Sequence, residues 1–185
     1  TSITISVILG VVVGIVITKY KVLAKPIINL ANAFYTVPSI ALFGLLIPFL
    51  GIGFKPAIVA LVLYVQFIII SHTHLGMTKV DSDVIESAKG MGLTEFQQLI
   101  RVRLPIAMPI IIAGIRTATT LTIGIVAIAA FIGAEGLGVL IFRGISGSNT
   151  VLILIGSITL FLLSIITDVL LSRLEKIIIP RGLRG

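Results

Sequence analysis

The sequence predicts an all-α membrane protein with five transmembrane helices. Of its 185 residues, 57% are hydrophobic and only 11% are charged, and the mean hydropathy is +1.23. A soluble domain carries about 25% charged residues, so the solvent for this much apolar surface must be lipid. The long Ile, Leu and Val runs do not alternate with polar residues, which argues against the strands of a transmembrane β-barrel. The absence of cysteine excludes disulfides and thiol chemistry.

Five apolar stretches are long enough, or nearly so, to cross a bilayer as helices. They cover residues 3–18, 29–50, 56–76, 105–126 and 151–171. Inside hydrocarbon, a segment of this length satisfies its own backbone hydrogen bonds only as a helix. The first stretch reaches about 24 Å at 1.5 Å per residue, somewhat short of the bilayer core, so we expect further residues upstream. We treat residues 1–185 as a single membrane domain.

Basic residues predict how the chain is oriented. Most follow the first, third and fifth stretches: Lys19, Lys21, Lys25, Lys79, Lys89, Arg101, Arg103, Arg173, Lys176, Arg181 and Arg184. The opposite side has Lys55 and Arg143. By the positive-inside rule, the N-terminus lies outside, and the C-terminus and the loop of residues 79–105 lie in the cytoplasm. Because the basic residues are divided among membrane flanks, they do not form the stripe that binds nucleic acid.

The loop of residues 79–105 is polar and predicts two short helices. Either Asp81 or Ser82 can cap a helix that begins near Asp83, and Thr94 can cap the second. Gly90 and Gly92 allow a sharp turn between them, and Pro105 suits a fresh start for the fourth membrane helix. The segment predicts a rigid contact surface for a soluble partner, although an ordinary amphipathic loop helix would show similar features.

The same loop resembles the "EAA" loop of binding-protein-dependent ABC importer permeases. Glu86, Ala88, Gly92, Leu104 and Pro105 stand at that motif's spacings, whereas Ser87 and Val102 depart from it. The resemblance implies that this loop docks on an ATPase subunit and transmits its closure. The residues implied are Glu86, Ser87, Ala88, Gly90, Gly92, Leu93, Leu104 and Pro105.

The second apolar stretch contains helix breakers. Pro38 and Pro48 interrupt it, and broken helices at membrane depth often mark transport sites. A simple packing kink remains the alternative. The string around Thr36–Ala41 also looks like a segment of permeases for glycine betaine, carnitine and choline. The candidate pathway or gate residues are Tyr35, Pro38, Ser39, Phe43, Phe131 and Glu135.

Two further sites are predicted from charge. Arg116 lies about eleven residues into the fourth stretch, and Asp168 lies at a comparable depth in the fifth, so we expect an ion pair. In the alternative, Arg116 snorkels to the interface.

The outer segment 127–147 is Gly-rich and predicts a short helix or re-entrant turn. Its Glu135 could attract a trimethylammonium group, or could be merely solvated or contact a partner.

The family resemblance implies the type I ABC importer permease fold, called MetI-like, in a bacterial inner (plasma) membrane. The expected partners are ABC ATPase subunits, a second permease copy or a paralogue, and an extracellular solute-binding protein. The chain has no P-loop motif, so we expect no catalysis, no metal and no cofactor here, with ATP and Mg²⁺ on the ATPase. The alternatives are a permease for methionine or another small solute, an ion-coupled secondary carrier, and a non-transporting anchor. Which quaternary amine is carried stays open.

Overall fold

The computed structural model describes residues 2–178, in which helices joined by short turns are the regular secondary structure. Residues 1 and 179–185 lie outside the described residues, and with them Arg181 and Arg184 of the orientation argument. The helices are α1 (Ser2–Lys19), α2 (Lys21–Thr36), α3 (Ser39–Leu50), α4 (Phe54–Thr78), α5 (Ser82–Gly90), α6 (Glu95–Gln98), α7 (Leu104–Ala129), α8 (Gly138–Ser146) and α9 (Thr150–Ile178). A π-helical turn (Leu99–Arg103) precedes α7, and a 3₁₀ turn (Ala130–Ile132) follows it.

Among the described residues, four uninterrupted helical segments are long and apolar enough to cross a membrane, and a fifth span forms if α2 and α3 are counted together. The four are Ser2–Lys19, Phe54–Thr78, Glu95–Ile132 and Thr150–Ile177. They match the first, third, fourth and fifth predicted stretches. The described chain thus has four spans, or the predicted five if the bent pair forms one span.

The second stretch, residues 29–50, is broken at Pro38, one of the two prolines predicted to interrupt it. Helices α2 and α3 meet at an angle of 100°. Val37 between them is extended, with φ −67° and ψ 130°, because the ring of Pro38 disfavours helical backbone in the residue before it. Pro48, by contrast, is accommodated inside α3 without ending it.

Pro105 lies in the first turn of α7, as predicted, but the chain does not break before it. Residues Glu95–Ile132 form one continuous helical segment of 38 residues, in which Pro105 falls in the first turn of α7. The amide of Leu104 donates to the carbonyl of Leu99, five residues back, which is the wider turn of a π-helix. This widened turn lets the helix continue into a segment where Pro105 and Pro109 cannot donate backbone hydrogen bonds.

Helix α4 occupies the middle of the bundle, between α1 and α7, and it also contacts α2 and α3. Glycines permit the closest approaches: Gly14 of α1 faces Thr73, and Gly114 of α7 faces His72. In both places an added Cβ would lie 2.5 Å from the Cβ of the α4 residue. Small residues at such crossings let membrane helices pack closely without help from the hydrophobic effect.

Helices α8 and α9 form a hairpin at the edge of the bundle. Gly144 of α8 lies against Ile153, and Gly156 of α9 lies against Ile141. Helix α8 has nine residues, about 14 Å, which is too short to cross the bilayer. The expectation of a short helix within residues 127–147 is therefore confirmed. Helix α9 joins the rest of the bundle mainly through α7.

Candidate functional site

The loop between α4 and α7 is a defined structure built from local hydrogen bonds. The Asp81 side chain accepts a hydrogen bond from the Asp83 amide at 2.9 Å, so Asp81 rather than Ser82 caps α5. Thr94 and Gln97 form a reciprocal capping box at the start of α6, with hydrogen bonds of 2.9 and 3.3 Å. Gly92 has φ +80°, the left-handed backbone that glycine adopts without strain.

The turn between α5 and α6 is tied to the following helix. The buried amide side chain of Gln98 donates to the Leu93 carbonyl at 2.8 Å. The Leu93 amide in turn donates to the Ala88 carbonyl at 3.2 Å. At the surface, the Lys19 ammonium at the end of α1 pairs with Glu95 at 3.1 Å. Helix α5 is therefore linked to α6, and α6 continues into the membrane-spanning α7.

The residues implied by the EAA resemblance do not all face solvent. Four of them are exposed on α5 and the turn after it: Glu86, Ser87, Gly90 and Gly92. Ala88, also predicted to contact the partner, is only 2% exposed in this structure. It lies on the inner face of α5, where its small side chain lets the helix pack on its own chain. Leu93, Leu104 and Pro105 are half-buried, and Leu104 packs against the core of Met77, Ala107 and Ile111.

Two apolar residues in this loop stand out that the sequence patterns did not single out. Met91 is 73% exposed and Phe96 is 69% exposed, on either side of the turn at Gly92. A large aromatic and a flexible thioether in a polar loop are typical of a contact surface. The signal was available in the sequence as two large apolar residues among charged and polar neighbours.

The candidate pathway residues fall into two groups. Pro38 and Ser39 mark the break between α2 and α3, and Tyr35, just before it, packs between Tyr64 and Phe67 with ring centroids 5.4 and 5.3 Å apart. In the outer segment, Phe131 and Glu135 are exposed, and the Phe131 ring lies 5.8 Å from that of Phe142.

The structure does not place Phe43, one of the predicted pathway residues, at an opening. Its side chain is only 1% exposed and belongs to a core cluster with Ala60 of α4 and Ile132 of the 3₁₀ turn. The α2–α3 break turns Phe43 inward onto α4. Phe43 therefore packs the broken span against the outer segment and does not line an opening.

Arg116 and Asp168 are in contact, as expected from their similar depths. The guanidinium Nε lies 3.1 Å from Asp168 Oδ1, and Nη2 lies 2.9 Å from Oδ1 and 3.1 Å from Oδ2. A third member, Glu175, accepts from Arg116 Nη1 at 2.7 Å. Sequence reasoning missed Glu175, although its spacing of seven residues from Asp168 puts both carboxylates on one face of α9. We call Arg116, Asp168 and Glu175 the ion triad.

Comparison with known proteins fits this architecture. Residues 6–181 match the family described as "Binding-protein-dependent transport system inner membrane component". The chain belongs to this family. The permease is accordingly an inner-membrane component with the MetI-like type I ABC permease fold.

Relatives with assigned roles are similar to the permease over almost its whole length. It is 42% identical to "Osmoprotectant import permease protein OsmW" of Salmonella typhimurium, covering 97% of this chain and 86% of that one. It is 40% identical to "Glycine betaine/carnitine/choline transport system permease protein OpuCB" of Bacillus subtilis, covering 98% and 85%. A solved inward-facing structure of the MetNI methionine ABC transporter matches with a TM-score of 0.88 over 97% of this chain and 90% of that one, at 23% identity. That last likeness shows the fold alone.

Proposed function

We propose that this permease is the transmembrane subunit of an ATP-driven importer for quaternary-ammonium compatible solutes such as glycine betaine, choline or carnitine. The observation that carries the proposal is the similarity, over nearly the full chain, to permeases that are named for osmoprotectants. The likeness to a methionine transporter is lower in identity and concerns the fold. The substrate class therefore follows the osmoprotectant permeases.

The permease performs no catalysis and holds no cofactor in this proposal, because ATP is hydrolysed by a separate subunit. That subunit docks on a surface that we call the coupling surface: Glu86, Ser87, Gly90, Met91, Gly92 and Phe96. These residues are exposed on α5, on the turn that follows it and at the start of α6. The apolar side chains of Met91 and Phe96 supply the buried centre of the contact, and the polar residues supply its rim.

The structure provides a mechanical path from the coupling surface to the membrane. Helix α5 is held to α6 through the turn at Gly92, and α6, the π-helical turn and α7 form one helical segment. A movement of the ATPase at this surface therefore tilts α7 as a lever, and α7 packs directly on α4. The transport cycle then moves the spans between inward-open and outward-open arrangements.

Two other partners complete the proposed complex. A second copy of the permease, or a paralogue, encloses the pathway with this one, and it covers part of the apolar surface that α9 exposes. A solute-binding protein delivers substrate on the outer side, where the N-terminus and the segment with Phe131 and Glu135 lie in the proposed orientation.

The proposal is tested by uptake of radiolabelled choline and glycine betaine into proteoliposomes that hold the permease, its ATPase and the binding protein. Met91→Glu and Phe96→Glu should abolish uptake and ATPase co-purification while the permease remains folded. The matched control is Lys79→Ala, an exposed change in the same loop but outside the coupling surface, which should leave both unchanged.

A backbone variant adds an independent test of the turn. Gly92→Val should lower uptake at least tenfold, because a β-branched residue is strained at φ +80°. Gly92→Asn, which tolerates that backbone, should keep most of the activity. Uptake that persists without the ATPase would instead indicate a secondary carrier, and uptake of methionine but not of choline would contradict the proposed substrate.

A further inference from the structure

A recess of about 390 Å³ lies between α7 and α9, beside the ion triad. Its lining residues are Ala113, Arg116, Thr117, Thr120, Leu121 and Asp168. The α7 residues recur at intervals of three and four, so they form one face of that helix. The volume falls within the range of small-molecule sites, roughly 300–1,000 Å³. The recess can therefore admit one small solute.

Asp168 is the acidic group that this recess presents, among the residues that the structure describes. Its side chain is 44% exposed, against 29% for Arg116 and 24% for Glu175. Oxygen Oδ1 accepts two hydrogen bonds from Arg116, whereas Oδ2 accepts one, at 3.1 Å. Arg116 meanwhile has both sides of its guanidinium engaged, by Asp168 and by Glu175. A ligand in the recess can therefore contact a carboxylate oxygen of Asp168, whereas the guanidinium of Arg116 is already paired.

The charge of the triad favours a cation as well. One guanidinium faces two carboxylates, which leaves a formal charge of −1 on these three residues. The field of a charge is stronger between low-dielectric walls than in water, so a cleft such as this one concentrates ions of the opposite sign. The basic residues Arg173 and Lys176, also on α9, are exposed and are not among the lining residues.

The remaining walls suit a cation that carries methyl groups. Ala113 and Leu121 provide apolar surface, and the hydroxyl of Thr117 donates to the Ala113 carbonyl at 3.0 Å, which leaves its oxygen as an acceptor toward the recess. A trimethylammonium group has no hydrogen to donate. It needs a nearby negative charge and apolar contact around its methyl groups, and the recess provides both.

We infer that the recess between α7 and α9 is a transit site for the quaternary-ammonium head of the solute, with Asp168 as its counter-charge. The inference rests on the proposed function and assigns a place in the membrane to that substrate class. Binding there is weak, because Asp168 stays paired with Arg116. Weak binding suits a site that must release its solute in every cycle.

The test uses the absence of cysteine from this chain. Thr120→Cys places one thiol in the recess of the complete complex in nanodiscs. Labelling is measured by mass spectrometry with two methanethiosulfonate reagents of similar size, one carrying trimethylammonium and the other sulfonate. The ratio of the cationic to the anionic rate should exceed the same ratio for a small free thiol in solution, and choline should slow the cationic reagent. The inference fails if the two ratios are equal, or if choline does not protect the thiol.

Two charge-removing variants distinguish direct contact with Asp168 from the overall electrostatic field of the ion triad. Asp168→Asn and Glu175→Gln remove the same charge from the triad, but only Asp168 lines the recess. Asp168→Asn should reduce the preference for the cationic reagent roughly tenfold, and Glu175→Gln should reduce it much less, because Coulomb interaction falls with distance. Equal effects of the two variants would overturn the assignment of Asp168 as the counter-charge.

Transport gives a second readout with the triad intact. Thr120→Phe fills the recess and should reduce choline uptake at least tenfold while ATPase co-purification is kept. Its control, Ile8→Phe on the exposed face of α1, should transport normally. Normal uptake by Thr120→Phe would overturn the inference alone. A wild-type complex that imports no quaternary amine would overturn the proposed function, whatever the labelling shows.

Discussion

Helices α4 and α9 are the two extremes of this bundle in how far they are buried, although both are long and apolar. In the most apolar 18-residue stretch of each, 44% of α4 residues and only 11% of α9 residues are buried within the chain. Helix α4 is enclosed by α1, α2, α3 and α7, whereas α9 packs on α8 and α7. In a membrane protein, apolar composition therefore indicates a span but does not indicate whether it lies at the centre or at the edge.

The two helices are also held by different interactions. The α4 contacts are mainly side-chain packing and close glycine crossings, as at Gly14 and Gly114. Two hydrogen bonds to α1 add to them, between His74 and Thr18 and from Gln66 to the Ser6 carbonyl. The α9 contact with α7 includes the ion triad. Packing of the first kind resists movement, because a close-packed contact has few alternative arrangements. The side chains of the ion triad are partly exposed on this chain, so their ion pairs can re-form after α9 is displaced. We therefore expect α9 to be the more mobile of the two helices.

The largest loss of stability should come from the core that packs around α4. Phe43→Ala removes a buried ring from the cluster between α3 and α4, and it should lower the free energy of unfolding by about 3–5 kcal/mol. Phe131→Ala removes an exposed ring whose recorded aromatic contact is Phe142, and it should cost about 0.5–1.5 kcal/mol. Reversible unfolding in sodium dodecyl sulfate, followed by circular dichroism, measures both. Equal losses would mean that Phe43 is not part of the core.

A smaller effect is expected at the crossing of α4 and α7. Gly114→Ala forces a methyl group to within 2.5 Å of the His72 Cβ, so the helices must separate slightly, at a cost of about 1–3 kcal/mol. Gly124→Ala on the same helix meets nothing within 4 Å and should be neutral or mildly stabilising, because alanine favours helix over glycine. The same unfolding assay compares them. A neutral Gly114→Ala would show that this crossing is looser than the structure indicates.

The sequence was informative wherever a local rule applied. Apolar runs located the spans, Asp81 and Thr94 stood where helix caps are needed, and the depths of Arg116 and Asp168 brought the two together. Each of these features depends on residues that are close in sequence or on distance along a helix. The five-span pattern needed no knowledge of which helix packs on which.

The sequence failed where tertiary packing decided the outcome. Prolines marked the second span, but only one of them breaks it: Pro38 follows an extended residue, whereas Pro48 fits inside α3. The inward positions of Phe43 and Ala88 depend on the rotation of each helix, which neighbouring helices set. Glu175 could have been found from its spacing to Asp168, but the apolar run appeared to end before it.

The ion triad gives the third prediction, and it tests the edge of the bundle. Arg116→Met removes the guanidinium that both Asp168 and Glu175 contact. Because all three side chains are partly exposed, we expect a loss of about 1–2 kcal/mol, less than for a fully buried pair. The triple variant Arg116→Met, Asp168→Asn, Glu175→Gln removes the three charges of the ion triad. It should restore most of the stability, measured by the same unfolding assay.

The triple variant decides between two views of α9. If Arg116→Met is destabilising and the triple variant recovers, the triad holds α9 to α7 by mutual compensation of charge, and the residual loss measures its net contribution. If Arg116→Met has no effect, the guanidinium is solvated as in the snorkelling alternative, and α9 is held by its contacts with α8 and by apolar packing on α7. The second outcome would also weaken the transit site, since Asp168 would then be positioned by solvent and not by Arg116.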